Sequence, residues 1–287
     1  MTQATTRWRF GPVAAPVEIT CCTGLIGSIT HCLHGWPVIP WMPESTDDPA
    51  IAITTRGTEF VLTSHFIIGE ETYTDEPSIV CAFMAELIMA YGATQRNNLF
   101  LHAGGAIVED RMMIFPAEGR AGKSTLVAQL AQRGARIFSD DVVPLDIATL
   151  RGRALGIEPR LRLPLPESLS AAMHGWVEAH RHLFNRKMTY VGLPRQGPGA
   201  LVPLGEERPI DAIVLLAREP GARPTLEPCS RANLLKQMVY QHFGGPVAAT
   251  TLIARFKVLV ESAPCYRLHY DGGEEAPDLL HQMARAA

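Results

Sequence analysis

The sequence carries little surplus charge: 26 Lys and Arg stand against 29 Asp and Glu in 287 residues, a net charge of -3. A bulk electrostatic grip on nucleic acid is therefore not expected, although a local basic patch is compatible with these totals. No apolar run approaches the ~18 residues of a membrane span. The longest, Val80 to Ala93, is shorter and contains Glu86, so no membrane partner is expected. The first ten residues lack an apolar core of the secretory type, so a signal peptide is not expected and a cytoplasmic location is. Cysteine is sparse, at six residues. In a chain of this length they are expected to be reduced thiols rather than a disulfide framework. Cys21, Cys22, His31, Cys32 and His34 cluster, but at no standard zinc spacing. Buried structural thiols are the first reading there, and a metal site is the alternative. There is no internal repeat and no low-complexity segment.

What is present is ordinary globular material. Apolar residues make up 47% and charged residues 19%, enough for one large domain or two small ones. Residues 1–95 read as a β-rich module ending in an amphipathic helix. Ile51 to Thr55 and Glu59 to Thr63 flank a turn at Arg56-Gly57. Ile79, Val80, Phe83, Met84, Leu87, Ile88 and Tyr91 then recur at helical period, a stripe read as core packing. Pro77 suits the first turn of that helix and Gly92 its end.

A second unit is expected over 96–287, of α/β class. Asn98 to Gly105 reads as a short strand and a loop containing His102. Ala106 to Val108 and Arg111 to Phe115 read as a hairpin turning at Glu109-Asp110. A helix is expected from Lys123-Ser124 through Leu130, ending at Arg133-Gly134, with a returning strand into Ser139-Asp140-Asp141. The Pro-, Arg- and Gly-rich stretch 150–209 reads as loops with one helical segment from about Pro166 to Leu183. Ile210 to Ala217 reads as a buried strand. Helices are expected over Arg231 to His242 and Ala276 to Arg285.

The strongest signal is Ala117-Glu118-Gly119-Arg120-Ala121-Gly122-Lys123-Ser124-Thr125. It is a Walker A phosphate loop with Ala117 where the first Gly stands. A strand, a small-residue loop and a helix start aim main-chain N–H groups and the helix N-terminus at an anion. Lys123 brings a cation to the outer phosphates, and the Ser124 hydroxyl sits where such loops ligate Mg²⁺. A nucleoside triphosphate with Mg²⁺ is the expected ligand. One helix and one strand later, Asp140-Asp141 return beside that loop. One carboxylate can hold Mg²⁺ while the other takes a proton from an attacking hydroxyl; the plain alternative is a solvated acidic turn. His102 can hydrogen-bond the catalytic carboxylate, or serve as a structural histidine.

These residues resemble the HPr kinase/phosphorylase family, within the phosphoenolpyruvate carboxykinase-like P-loop group. The resemblance covers roughly residues 97–270. It rests on His102-Ala-Gly-Gly, the hairpin, Ala117 to Thr125, and Arg133-Gly134 leading to Ser139-Asp140-Asp141. Pro209 to Leu216 and Pro264 to Leu268 further resemble shortened relatives of that family. It implies a P-loop kinase core with a mixed sheet over 96–287, using ATP and Mg²⁺. Lys123 and the loop amides would bind the β- and γ-phosphates, Ser124 and Asp141 the metal, and Asp140 would be the base with His102 beside it. The sequence departs from the family at Ala117, at Arg151 where the family has Glu, and over its first 95 residues.

The expected activity is phosphorylation of a serine hydroxyl on a peptide or small protein. The preferred acceptor is the C-terminal serine of a lasso-type ribosomal peptide, which some shortened relatives act on. Arg160, Arg162 and Lys187 are the candidate contacts to a substrate carboxylate or phosphoryl group; a solvated basic side chain is the alternative for each. Two other readings stand beside this one. The first is a kinase of a small hydroxy-amino acid or of HPr itself. The second is a non-catalytic nucleotide-binding sensor, which the Ala117 and Arg151 departures permit. Relatives often form oligomers, so a homo-oligomer is compatible with the resemblance.

Overall fold

The structure is a computed structural model and describes residues 5–41, 48–245 and 247–286. The chain is mixed α/β. Its first sheet has six strands in the order Val38–Pro40, Thr5–Phe10, Val17–Thr20, Ile51–Arg56, Glu59–Ser64 and Glu71–Tyr73. Only Val17–Thr20 and Ile51–Arg56 pair in parallel, and the expected turn at Arg56-Gly57 closes a regular hairpin.

Helix Glu76–Thr94 crosses this sheet. Asp75 caps it by accepting from the Ser78 N–H, and Pro77 lies in its first turn. The expected stripe is inside: Ile79, Val80, Phe83, Met84, Leu87 and Tyr91 are all buried. Two expectations need correcting. The helix runs on through Gly92 to Thr94; Gly92 lies inside its last turn, where a Cβ would meet the Phe100 ring at an ordinary contact distance of 3.4 Å. The helix is also not amphipathic. Glu86 on its other side is buried too, accepting from the Ser64 hydroxyl. Its 19 residues, with a mean hydropathy of 1.4, are long and apolar enough to cross a membrane by length and composition alone. In the sequence this stretch is interrupted by Glu86 and shows no uninterrupted apolar run of that length. Half of the apolar window is buried inside the fold.

The second sheet has ten strands. The main path is Glu207–Arg208, Gly152–Arg153, Val142–Asp146, Asn98–Val108, Arg111–Pro116, Ala212–Arg218, Cys265–Tyr270 and Thr225–Pro228. Arg136–Ser139 and His242–Phe243 also pair with Asn98–Val108. The sheet is mixed, since Ala212–Arg218 runs parallel to both neighbours while the other pairs are antiparallel. Alternation along the strands feeds two cores. Met113 and Phe115 meet Leu126, Val127 and Leu130 of helix Lys123–Gln132, with Met173 and Leu280 from helices Ala171–His180 and Glu275–Ala286. Met112 and Ile114 meet Leu234 and Met238 of helix Arg231–Gln241 and Phe256 and Leu259 of helix Ala249–Ser262.

Asn98–Val108 is one continuous strand, so His102 lies within it and not in a loop. The expected turn holds, with Glu109 and Asp110 both at positive φ. Residues 150–209 are more ordered than a set of loops. Helix Ala171–His180 stops short of Leu183. From Arg181 the chain becomes a strand, because Arg181–Phe184 bonds to Met188–Val191 in a small sheet completed by Arg160–Arg162. The intervening turn is held by Asn185 Oδ1, which accepts from the N–H groups of Lys187 and Met188.

The N-terminal sheet and helix share a core with the larger sheet. Phe10, Ile19, Phe83 and Tyr91 cluster with Phe100, Val142, Leu155 and Tyr190. The Trp36 indole donates to the Leu155 carbonyl at 2.6 Å.

Candidate active site

Strand Arg111–Pro116 delivers the chain into the loop that Ala117 opens. Ala117 is fully buried, so its methyl group occupies core, not ligand space. Arg120 and Gly122 take positive φ values of 69° and 90°, and Gly122 caps helix Lys123–Gln132 without any side-chain hydrogen bond. The first N–H groups of that helix are therefore free to face a ligand. A Cβ on Gly122 would come within 2.8 Å of the Tyr270 hydroxyl, which itself donates to the Ala121 carbonyl at 2.8 Å. Tyr270 ends a distant strand and buttresses the loop from behind. Lys123 is buried, with its Nζ on the carbonyls of Ala117 at 2.8 Å and Glu118 at 3.2 Å. Burial pulls its pKa down, and the charges of Asp141 and Asp140 oppose that pull.

The acidic pair faces this cradle. Ser139 makes the turn, donating to the Val142 carbonyl at 2.7 Å and accepting from the Val142 N–H at 3.0 Å. Asp140 Oδ2 accepts from the Arg160 N–H at 2.9 Å, with the Ser124 hydroxyl as a further partner. Asp140 Oδ1 is buried and has no protein partner. Burial, followed by the neighbouring Asp141, pushes the Asp140 carboxyl up to about 6. Asp141 is exposed, and His102 Nδ1 lies 3.2 Å from its Oδ1. The resemblance set His102 beside Asp140; the structure pairs it with Asp141 instead, because His102 sits opposite Val142 in the strand register, one residue past the turn. Burial holds the His102 imidazole below its usual pKa, opposed by Asp141 and aided by Lys123.

The two halves meet over one cleft of about 300 Å³, lined by His102, Gly119, Gly122, Lys123, Ser124, Asp141, Arg160, Arg162 and Arg218. A smaller cavity of about 110 Å³ also borders the acidic pair, walled by Asp140, Asp141, Arg160, Tyr190 and, from helix Glu76–Thr94, Cys81, Met84 and Ile88. A wider cleft of about 940 Å³ opens beside the loop. Its walls are Glu118 to Ala121, Leu215 to Arg218, Gln237 and Arg267. Of the proposed substrate contacts, Arg160 and Arg162 line the central cleft. Lys187 does not: it is exposed in the turn after Phe184, beyond these walls. The sequence reading missed Tyr270, Arg218, Tyr190 and Cys81, which carry no motif of their own.

The donors at the pair suit a hard dication, since all of them are oxygen: the Ser124 hydroxyl and the carboxylates of Asp140 and Asp141. The unpartnered Oδ1 of Asp140 is the kind of buried group that a bound cation satisfies.

No family model matches the sequence, and no curated protein matches it. Among solved structures, the chain is similar to the Hpr(Ser) kinase/phosphatase from Coxiella burnetii, at 14% identity, over 65% of this chain and 88% of that one, with a TM-score of 0.36. A likeness that distant carries no statement about activity, which has to rest on the geometry of the cleft.

Proposed function

We propose that the chain is an ATP- and Mg²⁺-dependent phosphotransferase that phosphorylates a serine hydroxyl. The observation that carries this is the single cleft shared by the Gly122–Lys123 cradle and Asp141, with Asp140 hydrogen-bonded to the Ser124 hydroxyl at the start of the same helix. In this reading the loop amides and Lys123 hold the outer phosphates, and the wider cleft beside the loop takes the nucleoside. Ser124 and Asp141 hold Mg²⁺, with the free oxygen of Asp140 at hand. Bound there, the ion would neutralise charge on the phosphate oxygens. Asp140 takes the proton of the acceptor hydroxyl. Its raised pKa places it near neutrality, where a general base works best. Lys123, Arg162 and Arg218 surround the moving phosphoryl group with positive charge.

Arg160 and Arg162 on the cleft wall favour an acceptor whose hydroxyl lies close to a carboxylate. The C-terminal serine of a peptide has that arrangement, and a lasso-type ribosomal peptide is the preferred case. A free hydroxy-amino acid shares the same chemistry, and the 110 Å³ cavity bordering the pair is of a size that suits it.

The experiment incubates the purified chain with ATP, Mg²⁺ and each acceptor, and reads the added phosphate by mass spectrometry. Transfer to a C-terminal serine is expected. ATP binding without transfer to any peptide or amino acid, unchanged in Asp140→Asn, would establish the sensor reading instead.

A further inference from the structure

Away from the cleft, the described residues bring together three metal-ligating side chains from three elements. His31 ends helix Leu25–His31, Glu158 precedes strand Arg160–Arg162, and His182 lies in strand Arg181–Phe184. One donor atom from each lies within 4.8 Å of the other two. The two imidazole rings meet edge to face, with centroids 4.4 Å apart. Glu158 is 2% exposed. A carboxylate buried that deeply is held in place only by partners that offset its lost hydration. Its Oε1 lies 3.3 Å from an Arg195 nitrogen, and its Oε2 is hydrogen-bonded to His182 Nε2. Arg195 also donates to the His31 carbonyl at 2.6 Å, tying the helix end to the same point.

One carboxylate oxygen is thus paired with Arg195 and the other with His182, and His31 brings a second imidazole into the same cluster. Two imidazole nitrogens with one carboxylate oxygen are a donor set of borderline cations, Zn²⁺ first among them. Mg²⁺ and Ca²⁺ prefer shells of oxygen. Arg195 stands behind the carboxylate as the kind of outer partner that orients a ligand. His31 is exposed, so an ion has a path from solvent.

We propose that His31, Glu158 and His182 form a binding site for a zinc-class divalent cation, clasping helix Leu25–His31 to the small sheet beside the cleft. The site is independent of the nucleotide reading.

The test uses the untagged full chain, stripped with a chelator. It is titrated with Zn²⁺ by calorimetry and with Co²⁺ by visible absorption. One equivalent is expected, with the absorption of a four-coordinate Co²⁺ and a melting temperature raised by Zn²⁺ but not by Mg²⁺. His31→Ala, an exposed change that leaves the core intact, weakens binding by about 100-fold or more, and His182→Ala does the same. His174→Ala, an exposed histidine elsewhere, changes nothing. A stripped protein that takes up no Zn²⁺, or one whose affinity survives either His31→Ala or His182→Ala, overturns the site.

Discussion

The phosphate cradle and the wall opposite it are built in different ways. The cradle is nine consecutive residues, Ala117 to Thr125, and its working groups are main-chain N–H groups at a helix start with one lysine above them. The wall is assembled from side chains brought in by a strand, a turn and a distant helix: His102, Asp140, Arg160, Tyr190 and Cys81. A site made of backbone tolerates changes of side chain so long as its path is kept. A site made of side chains depends on burial and charge, which each substitution alters. Cradle variants should therefore act on nucleotide binding and transfer, or on stability where they disturb the backbone path, and wall variants on proton transfer and folding energy.

The largest expected effect within the cradle is at Lys123, whose buried ammonium group is held by the carbonyls of Ala117 and Glu118. Lys123→Ala should lower the transfer rate by about 100- to 1,000-fold, the usual loss for one group that stabilises a transition-state charge. It should raise the KM for ATP as well and, by removing a positive charge that interacts with Asp140, move the rising limb of the pH profile upward without abolishing it. Steady-state kinetics on both substrates would separate these quantities.

The next effect belongs to the wall and is a gain in stability. The Asp140 carboxyl, raised from 3.8 to about 6, keeps its proton in the folded chain at pH values where the unfolded chain has released it. Stability therefore falls as pH rises through that window, and the full cost is present above pH 6. Two pKa units correspond to about 3 kcal/mol. Asp140→Asn keeps an oxygen for the Arg160 N–H and removes the charge. It should gain about 2–3 kcal/mol at neutral pH and almost nothing at pH 4. Denaturant titrations at the two pH values would check this.

Gly122→Ala should cost about 1–2 kcal/mol, from a φ of 90° that L-residues avoid. The crowding on Tyr270 adds to it, so Tyr270→Phe should return a part. A smaller change is Ala117→Gly, which restores the usual loop residue. Because Ala117 is buried in the core, this should cost about 0.5–1 kcal/mol of stability and leave transfer within about twofold. Lys187→Ala, beyond the cleft, should leave KM for ATP and acceptor unchanged.

The same contrast explains what could be read from the sequence. The cradle was legible because its residues are adjacent and each has one job. The hairpin at Glu109-Asp110 and helix Glu76–Thr94 were legible from turn chemistry and helical period. Residues 150–209 were not, because Arg160–Arg162, Arg181–Phe184 and Met188–Val191 are too short to show a period, and they form only by pairing with one another. Helix Ala249–Ser262 was missed although its buried Leu252, Phe256, Leu259 and Val260 stand at helical spacing. His31 was noticed among nearby cysteines, yet its partners Glu158 and His182 lie far along the chain. The pairing of His102 with Asp141 depends on strand register, which no local pattern reveals.

The central claim is that Asp140, facing a nucleotide held by the cradle, accepts the proton of the hydroxyl being phosphorylated. It is tested most directly by the pH dependence of single-turnover transfer at saturating ATP and Mg²⁺. The wild-type rate should rise with pH through a single ionisation that belongs to Asp140, with bound Mg²⁺ drawing its pKa below that of the metal-free chain. Asp140→Asn should bind ATP as before, transfer at least about 100-fold more slowly, and show no such limb. A limb that persists in Asp140→Asn at an undiminished rate would contradict the account.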